Sequence, residues 1–104
     1  MNDTKVYYIV NIQIHDAETY RKYEKGFFPI LKKYDGEFIT FDDNPIHVEG
    51  DSPIEQDRVI LFSFPSAEKA DAWWDDSDYK EISKFRRAST TITLTRINGL
   101  PPRD

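Results

Sequence analysis

The residues that could carry chemistry in this chain are few and scattered. Its two histidines, His15 and His47, have carboxylates nearby in sequence, but neighbouring residues of a strand point to opposite faces, and no His-x-x-x-His spacing is present. The chain has no cysteine and only four scattered glycines, so thiolate zinc sites and glycine-rich phosphate loops are absent. Ser63 and Ser66 lack the Gly-x-Ser-x-Gly turn of an activated nucleophile. We therefore expect no metal and no tightly bound flavin or nicotinamide.

Three further residues are candidates for binding or polarising a small molecule. Asn11 is polar within an apolar strand pattern, and a buried amide must bond a neighbour or face a cavity. Trp73 and Trp74 lie about 100° apart on a helix, so only one points squarely at the core, and the other covers a sheet edge or walls a ligand cleft. Arg86 belongs to a basic helix face, which is either a solvated surface or an anchor for an anionic ligand.

The elements that must position these residues follow from hydrophobic periodicity and capping. Alternating apolar residues predict strands at residues 5–14, 37–41, 58–64 and 90–98. Asp16 occupies the N-cap position of a long helix that Gly36 ends as a left-handed cap. Ser66 and Ser77 are predicted to cap two further helical segments, and residues 46–49 to resume extended structure.

This element order predicts the fold. Strand, helix, strand, strand, helix, strand, joined by right-handed crossovers, is typical of a ferredoxin-like split βαβ sandwich of the α+β class, with an antiparallel sheet and its helices on one face. Residues 1–104 form one domain in this prediction, and residues 99–104 are a flexible tail. In the last helix, Ile82, Phe85 and Ser89 are expected to face the core.

The uncovered face of this sheet predicts an assembly. Tyr7 and Ile9 oppose Val6 and Tyr8 on the first strand, so both of its faces carry apolar side chains. A chain of 104 residues has no third layer to cover the second face. A second copy is the simplest cover, and we therefore expect a homodimer.

Composition excludes several other classes of protein. Aromatic residues make up 14% of the chain, which is typical of a folded protein even though 32% of residues are charged. The net charge of −5 opposes binding to nucleic acid and to anionic membranes, and no RNP1 pattern supports RNA binding. No apolar run approaches the roughly 20 residues of a membrane span, and the N-terminus lacks a signal-peptide pattern. The expected location is cytoplasmic.

Several segments together resemble the DUF1330 family of small bacterial proteins. They are Tyr-Tyr-Ile-Val at 7–10, Asp-Ala-Glu-Thr-Tyr at 16–20, Pro29, Lys-Tyr-Asp-Gly-Glu-Phe at 33–38, Glu-Gly-Asp at 49–51, Phe-Ser-Phe-Pro-Ser at 62–66, Ala-Trp-Trp at 72–74, Ser-Asp-Tyr at 77–79 and Arg-Arg at 86–87. The resemblance implies a dimeric α/β barrel, in which two ferredoxin-like sheets pack face to face, and no settled reaction. Two departures are Asp35-Gly36, where the family usually has Gly-Gly, and Trp74, where it more often has Tyr.

The resemblance also suggests candidate functions. Some oxygenases of the wider superfamily use an Asn on the first strand, a Trp on the second helical segment and an Arg, to which Asn11, Trp74 and Arg86 are similar. The first hypothesis is a cofactor-independent enzyme of monooxygenase or isomerase type, acting on a small anionic or aromatic substrate. Trp74 and Phe62 would hold the ring, Arg86 the acid group, and Asn11 or His47 would polarise a carbonyl or move a proton. The alternative is a non-catalytic ligand-binding or structural dimer. Haem binding is left open as an alternative, because one histidine suffices to ligate the haem iron.

Overall fold

Four strands and three helices make up the computed structural model, which describes residues 4–51 and 58–101. In chain order they are β1 (Val6–Ile14), α1 (Ala17–Lys33), β2 (Glu37–Asp42), β3 (Arg58–Phe64), α2 (Ala67–Asp75), α3 (Ser77–Ser89) and β4 (Thr90–Asn98). The predicted strands are confirmed to within a residue at either end, except that residues 46–49 form no strand. The predicted tail is described only as far as Pro101, and its last three residues lie outside the described part of the chain.

The strands pair in the order β2-β3-β1-β4, and every pair is antiparallel. Val6, Tyr8, Val10 and Ile12 alternate along β1 and are buried beneath the helices. This arrangement confirms the ferredoxin-like α+β fold. The sheet is open, with β2 and β4 at its two edges, and none of the described helices is long and apolar enough to cross a membrane.

β2 contains a bulge that changes which side chains face the helices. Phe38 pairs with Phe62 and Phe41 pairs with Ile60, although Phe41 lies three positions after Phe38 and their partners are only two positions apart. The extra residue in this stretch of β2 is accommodated between Phe38 and Thr40. As a result, Phe38 and Phe41 lie on the same face of the sheet, whereas in a regular strand they would point to opposite faces.

The end of α1 differs from the predicted glycine cap. Asp35, with φ of 60°, adopts the left-handed conformation, and Gly36 does not. Gly36 is constrained by proximity instead: its backbone N–H donates to the Leu31 carbonyl at 2.9 Å, and a Cβ at this position would overlap the Leu31 side chain. Aspartate tolerates the left-handed region better than most residues, so the turn forms without a glycine at its strained position.

The start of α3 is also capped one residue earlier than predicted. The Asp76 carboxylate accepts hydrogen bonds from the backbone N–H of Asp78 at 2.8 Å and of Tyr79 at 3.0 Å. The same carboxylate accepts from Lys33 at 2.9 Å and from the Tyr34 hydroxyl at 2.5 Å. Asp76 is therefore both the N-cap of α3 and the point that joins its start to the end of α1.

The buried face of α3 carries mostly polar side chains. Tyr79, Ser83, Arg86 and Ser89 are buried, whereas Phe85 is 36% exposed, so the expectation that Phe85 faces the core is wrong. Ser83 and Ser89 donate to carbonyls one turn back in their own helix, each at 2.7 Å. Because these hydroxyls are satisfied within the helix, they can be buried at little cost.

Candidate functional site

A cavity of about 60 Å³ lies between α1, α3 and the covered face of the sheet. A single water needs about 10–15 Å³, so there is room for a small molecule. Its walls are aliphatic and aromatic except for three charged side chains, those of Glu24, Arg58 and Arg86. The aromatic members are Tyr20, Tyr23, Phe27, Phe28, Phe38, Phe41 and Phe62, and the aliphatic ones are Val10, Ile60, Ile92 and Leu94.

The cavity draws its lining from every strand and from two helices. Spacings of three and four residues along α1 bring Tyr20, Tyr23 and Phe27 onto one face of that helix. The bulge in β2 brings both Phe38 and Phe41 to the same space. Phe28 and Phe41, each 49% exposed, mark the open side, which we call the mouth of the cavity.

Arg86 is the charged residue of this cavity whose hydrogen-bonding groups are left without partners in the described part of the chain. Its side chain comes from α3 and the residue is 4% exposed. The guanidinium carbon lies 5.7 Å from the centre of the Tyr23 ring. Nε and Nη2 are buried and have no hydrogen-bond partner within the described residues. Arginine keeps its charge in proteins, and a buried charge is costly unless it is paired.

Arg58, the second arginine of the lining, is by contrast paired with two carboxylates. Its Nη1 donates to a Glu24 carboxylate oxygen at 3.2 Å, and its Nε donates to Asp43. The guanidinium also lies 4.9 Å from the centre of the Phe41 ring, beside the mouth. Because Glu24 is paired with Arg58, it does not neutralise Arg86.

The tyrosines around Arg86 do not supply a negative charge either. Burial raises the pKa of Tyr20 to about 12 and raises the pKa of Tyr23 well above its usual value. The Tyr23 and Tyr79 hydroxyls share a hydrogen bond of 2.9 Å. Both lining phenols are therefore neutral at physiological pH, and no carboxylate of the described residues forms an ion pair with Arg86.

The structure places the predicted site residues in several different regions. Phe62 and Arg86 line the cavity. Asn11 lies on the opposite face of β1, in register with Val59 and Thr93. The remaining two, His47 and Trp74, are outside the cavity lining.

His47 and Trp74 both lie on the surface. His47 is exposed in the segment after β2, where its Nε2 lies 2.6 Å from the Gly50 carbonyl. Trp74 is 38% exposed, whereas Trp73 is fully buried against Tyr79, with ring centres 4.1 Å apart. Of the two adjacent tryptophans, the first therefore belongs to the core. Within the described residues, no three histidine, aspartate or glutamate side chains gather into a group that could hold a metal ion.

Sequence reasoning missed most of the lining. The spacing of Tyr20, Tyr23 and Phe27 is visible in the sequence, but that pattern equally predicts a filled core. The contact between Arg58 and Glu24 joins residues 34 positions apart, and no local pattern marks it. The bulge that places Phe41 has no glycine or other sequence signal within β2.

Several solved structures share this fold at low sequence identity. A protein of unknown function from Rhodopseudomonas palustris aligns with a TM-score of 0.83 at 19% identity, covering 97% of this chain and 86% of its own. SnoaB, a cofactor-independent oxygenase from Streptomyces nogalater, aligns with a TM-score of 0.64 at 9% identity, covering 93% and 94%. A dimeric ferredoxin-like protein of unknown function from Bacteroides fragilis aligns with a TM-score of 0.60 at 7% identity, covering 91% and 96%. These likenesses show the fold.

Sequence comparison gives the family. No curated protein sequence matches the chain. A family model matches residues 5–100, nearly the whole length, and it describes the same family that the segments at residues 7–87 resemble. The chain belongs to the family described as a domain of unknown function, DUF1330.

Proposed function

We propose that this protein binds a small, largely apolar anion in the cavity, with Arg86 contacting the negative charge and Phe62 packing against the apolar part. One observation carries the proposal: Arg86 is 4% exposed, and two nitrogens of its guanidinium have no partner among the described residues. Burying such a group without a partner costs several kcal/mol at most sites. An anionic ligand supplies the missing partner.

The remaining walls favour the same class of ligand. Aromatic rings dominate the lining, and Glu24 and Arg58 satisfy each other. A ligand with an apolar body gains by leaving water for these walls. A neutral ligand would leave the Arg86 charge uncompensated, so the negative charge must come with the ligand.

A second candidate is catalysis without a cofactor, of the monooxygenase or isomerase type. It is supported by the likeness of fold to SnoaB and by the position of Tyr23, whose neutral phenol lies beside the Arg86 guanidinium. Tyr20, Tyr23 and Glu24 are the lining groups able to move a proton, whereas Asn11 and His47 lie elsewhere. Chemical change of a bound anion in air, with no cofactor added, would distinguish an enzyme from a binding protein.

We also propose that two copies pack through their open sheet faces to form a dimeric α/β barrel. Ile9 and Leu61 face each other across β1 and β3 in the middle of that face. Tyr7 and Val59 flank them on the same side. The dimeric state of structural neighbours such as the Bacteroides fragilis protein supports the proposal.

The binding proposal is tested by replacing Arg86 with a neutral residue of similar length. We expect apolar carboxylates, sulfonates or phosphonates in millimolar excess to raise the thermal midpoint of the wild type, since binding to the folded state alone stabilises it. Arg86→Met should abolish this shift. Without ligand, its midpoint should equal or exceed that of the wild type, because an uncompensated buried charge is removed.

Arg87→Met is the matched control, because Arg87 is exposed on the same helix. It should respond to ligand as the wild type does. Equal ligand-induced shifts in Arg86→Met and the wild type, or no shift from any anion in the wild type, would contradict the proposal.

A further inference from the structure

The two unpartnered nitrogens of Arg86 lie on one edge of its guanidinium. Nε and Nη2 belong to the side of the planar group on which their N–H bonds run parallel, and both are buried without a partner among the described residues. Two parallel donors match the two oxygens of one carboxylate, which accepts from such an edge in the bidentate manner. A phenolate or a ketone has one oxygen, which these two parallel donors would have to share.

The charges around the cavity limit how much negative charge it accepts. Arg58 already bonds Glu24 and Asp43, so Arg86 is the one lining cation without a carboxylate partner within the described residues. Glu24 lies in the lining with its side chain 41% exposed. A ligand whose second negative charge points away from Arg86, toward the mouth, would approach the Glu24 carboxylate.

From this geometry we infer that the ligand is a monocarboxylate with an apolar body, bound side-on by Nε and Nη2 of Arg86. The inference rests on the proposed function and specifies its ligand class. The carboxylate lies against the Arg86 edge, and the body packs against Phe27 and Phe62, which contact each other edge to face with ring centres 5.3 Å apart. Dicarboxylates and phosphate esters are disfavoured, because one cation faces them and Glu24 repels their extra charge.

Titration calorimetry on the full chain can test the ligand class. The probes are butyrate, benzoate and 2-naphthoate, so that body size is varied, each with its neutral amide, together with terephthalate and phenyl phosphate. We expect at least one monocarboxylate to bind about tenfold or more tightly than its amide, since a charge-assisted pair is lost. Terephthalate and phenyl phosphate should bind more weakly than benzoate.

Two substitutions separate geometry from charge. Arg86→Lys keeps the positive charge but lacks the planar edge, and should weaken monocarboxylate binding about tenfold or more. Glu24→Gln removes the repelling charge, and should improve terephthalate relative to benzoate. Glu81→Gln, an exposed position on α3 outside the cavity, is the control and should leave that ratio unchanged.

The outcomes distinguish this inference from the proposed function. The inference is overturned, and the proposed function stands, if Arg86→Lys binds monocarboxylates as tightly as the wild type. The same holds if phenyl phosphate or terephthalate binds through Arg86 at least as tightly as every monocarboxylate. If no anion binds the wild type, or if Arg86→Met binds anions equally well, both fail.

Discussion

The position of Arg86 depends on the rotation of its helix: a fraction of a turn decides whether its side chain is exposed to solvent or buried in the cavity. In sequence it belongs with Lys80, Lys84 and Arg87 to a basic helix face, and solvent exposure was the simplest interpretation. The structure buries it because the inward face of α3 is formed by Tyr79, Ser83, Arg86 and Ser89. Periodicity of apolar residues could not predict this face, since serines that bond their own helix are absent from any hydrophobic pattern.

Tyr20 gives a test of the cavity environment that needs no ligand. Burial raises the pKa of Tyr20 to about 12, against about 10 in an unfolded chain. Between these values the folded protein holds more protons than the unfolded one, so stability falls as pH rises. Below about pH 9 this group contributes almost no pH dependence.

We therefore expect the free energy of unfolding to decrease between pH 9 and pH 11, and Tyr20→Phe to lose about 1 kcal/mol less than the wild type over that range. Urea unfolding at both pH values measures the difference. Equal losses in the two proteins would show that the Tyr20 hydroxyl does not titrate differently on folding.

At the scale of elements, the ends of the helices show where sequence prediction succeeds. Asp16 and Ser66 were predicted as N-caps, and each accepts a bond from the backbone N–H three residues later. The predictions of Ser77 and Gly36 as caps are wrong. In both places the preceding aspartate takes the role: Asp76 caps the start of α3, and Asp35 adopts the left-handed conformation after α1. Asp76 takes the cap because its carboxylate also reaches Lys33, a long-range contact that local patterns do not contain.

The start of α3, which Asp76 caps, is expected to be the helix end most sensitive to acid and to substitution. Hydrogen bonding from the Tyr34 hydroxyl, followed by bonding from Lys33, holds the pKa of the Asp76 carboxyl well below its usual range. Its stabilising contribution is therefore present above about pH 4 and is lost as pH falls below that value. Asp76→Ala should lower the free energy of unfolding at pH 7 by about 1–2 kcal/mol through loss of the cap alone.

Urea unfolding at pH 7 and pH 3 measures both effects. Asp76→Ala should lose less stability between these pH values than the wild type does. Asp75→Ala, at the adjacent exposed position, serves as the control and should show the wild-type difference. A wild-type pH response in Asp76→Ala would mean that the acid sensitivity arises elsewhere.

At the scale of the whole molecule, the sheet presents one covered and one open face. We expect a homodimer of two 12.3 kDa chains that buries well over about 1,000 Å² in total. Ile9→Lys places a charge in the middle of the open face and should give a monomer at micromolar concentration. Ala88→Lys, on the exposed surface of α3, should remain dimeric.

Sedimentation equilibrium or light scattering measures the mass in each case. A wild-type mass near that of one chain would contradict the dimer. Circular dichroism of Ile9→Lys checks that its fold is kept, so that a monomer reports on the interface.

The architecture could be predicted because it follows from patterns within single elements. The alternation along residues 5–14 and 90–98 indicates strands, and the cap at Asp16 indicates where a helix begins, so local patterns of this kind predict the order of strands and helices along the chain. The cavity could not be predicted in the same way, because its lining comes from six elements and depends on their rotation and register. Phe62 and Arg86, which the sequence names as candidates, both line the cavity, whereas Trp74 follows the buried Trp73 by one residue and so faces outward.

The bulge in β2 has a consequence for comparisons across the family. Phe41 reaches the cavity only because one residue is accommodated out of register before it. Loss of a single codon there would leave every aromatic residue in the gene and place the two phenylalanines two positions apart, so that a regular strand would keep both on the cavity face. A homologue shortened by one residue should therefore keep the same pocket wall without a bulge, whereas a homologue of the same length that lost the bulge would turn the second phenylalanine to the other side of the sheet.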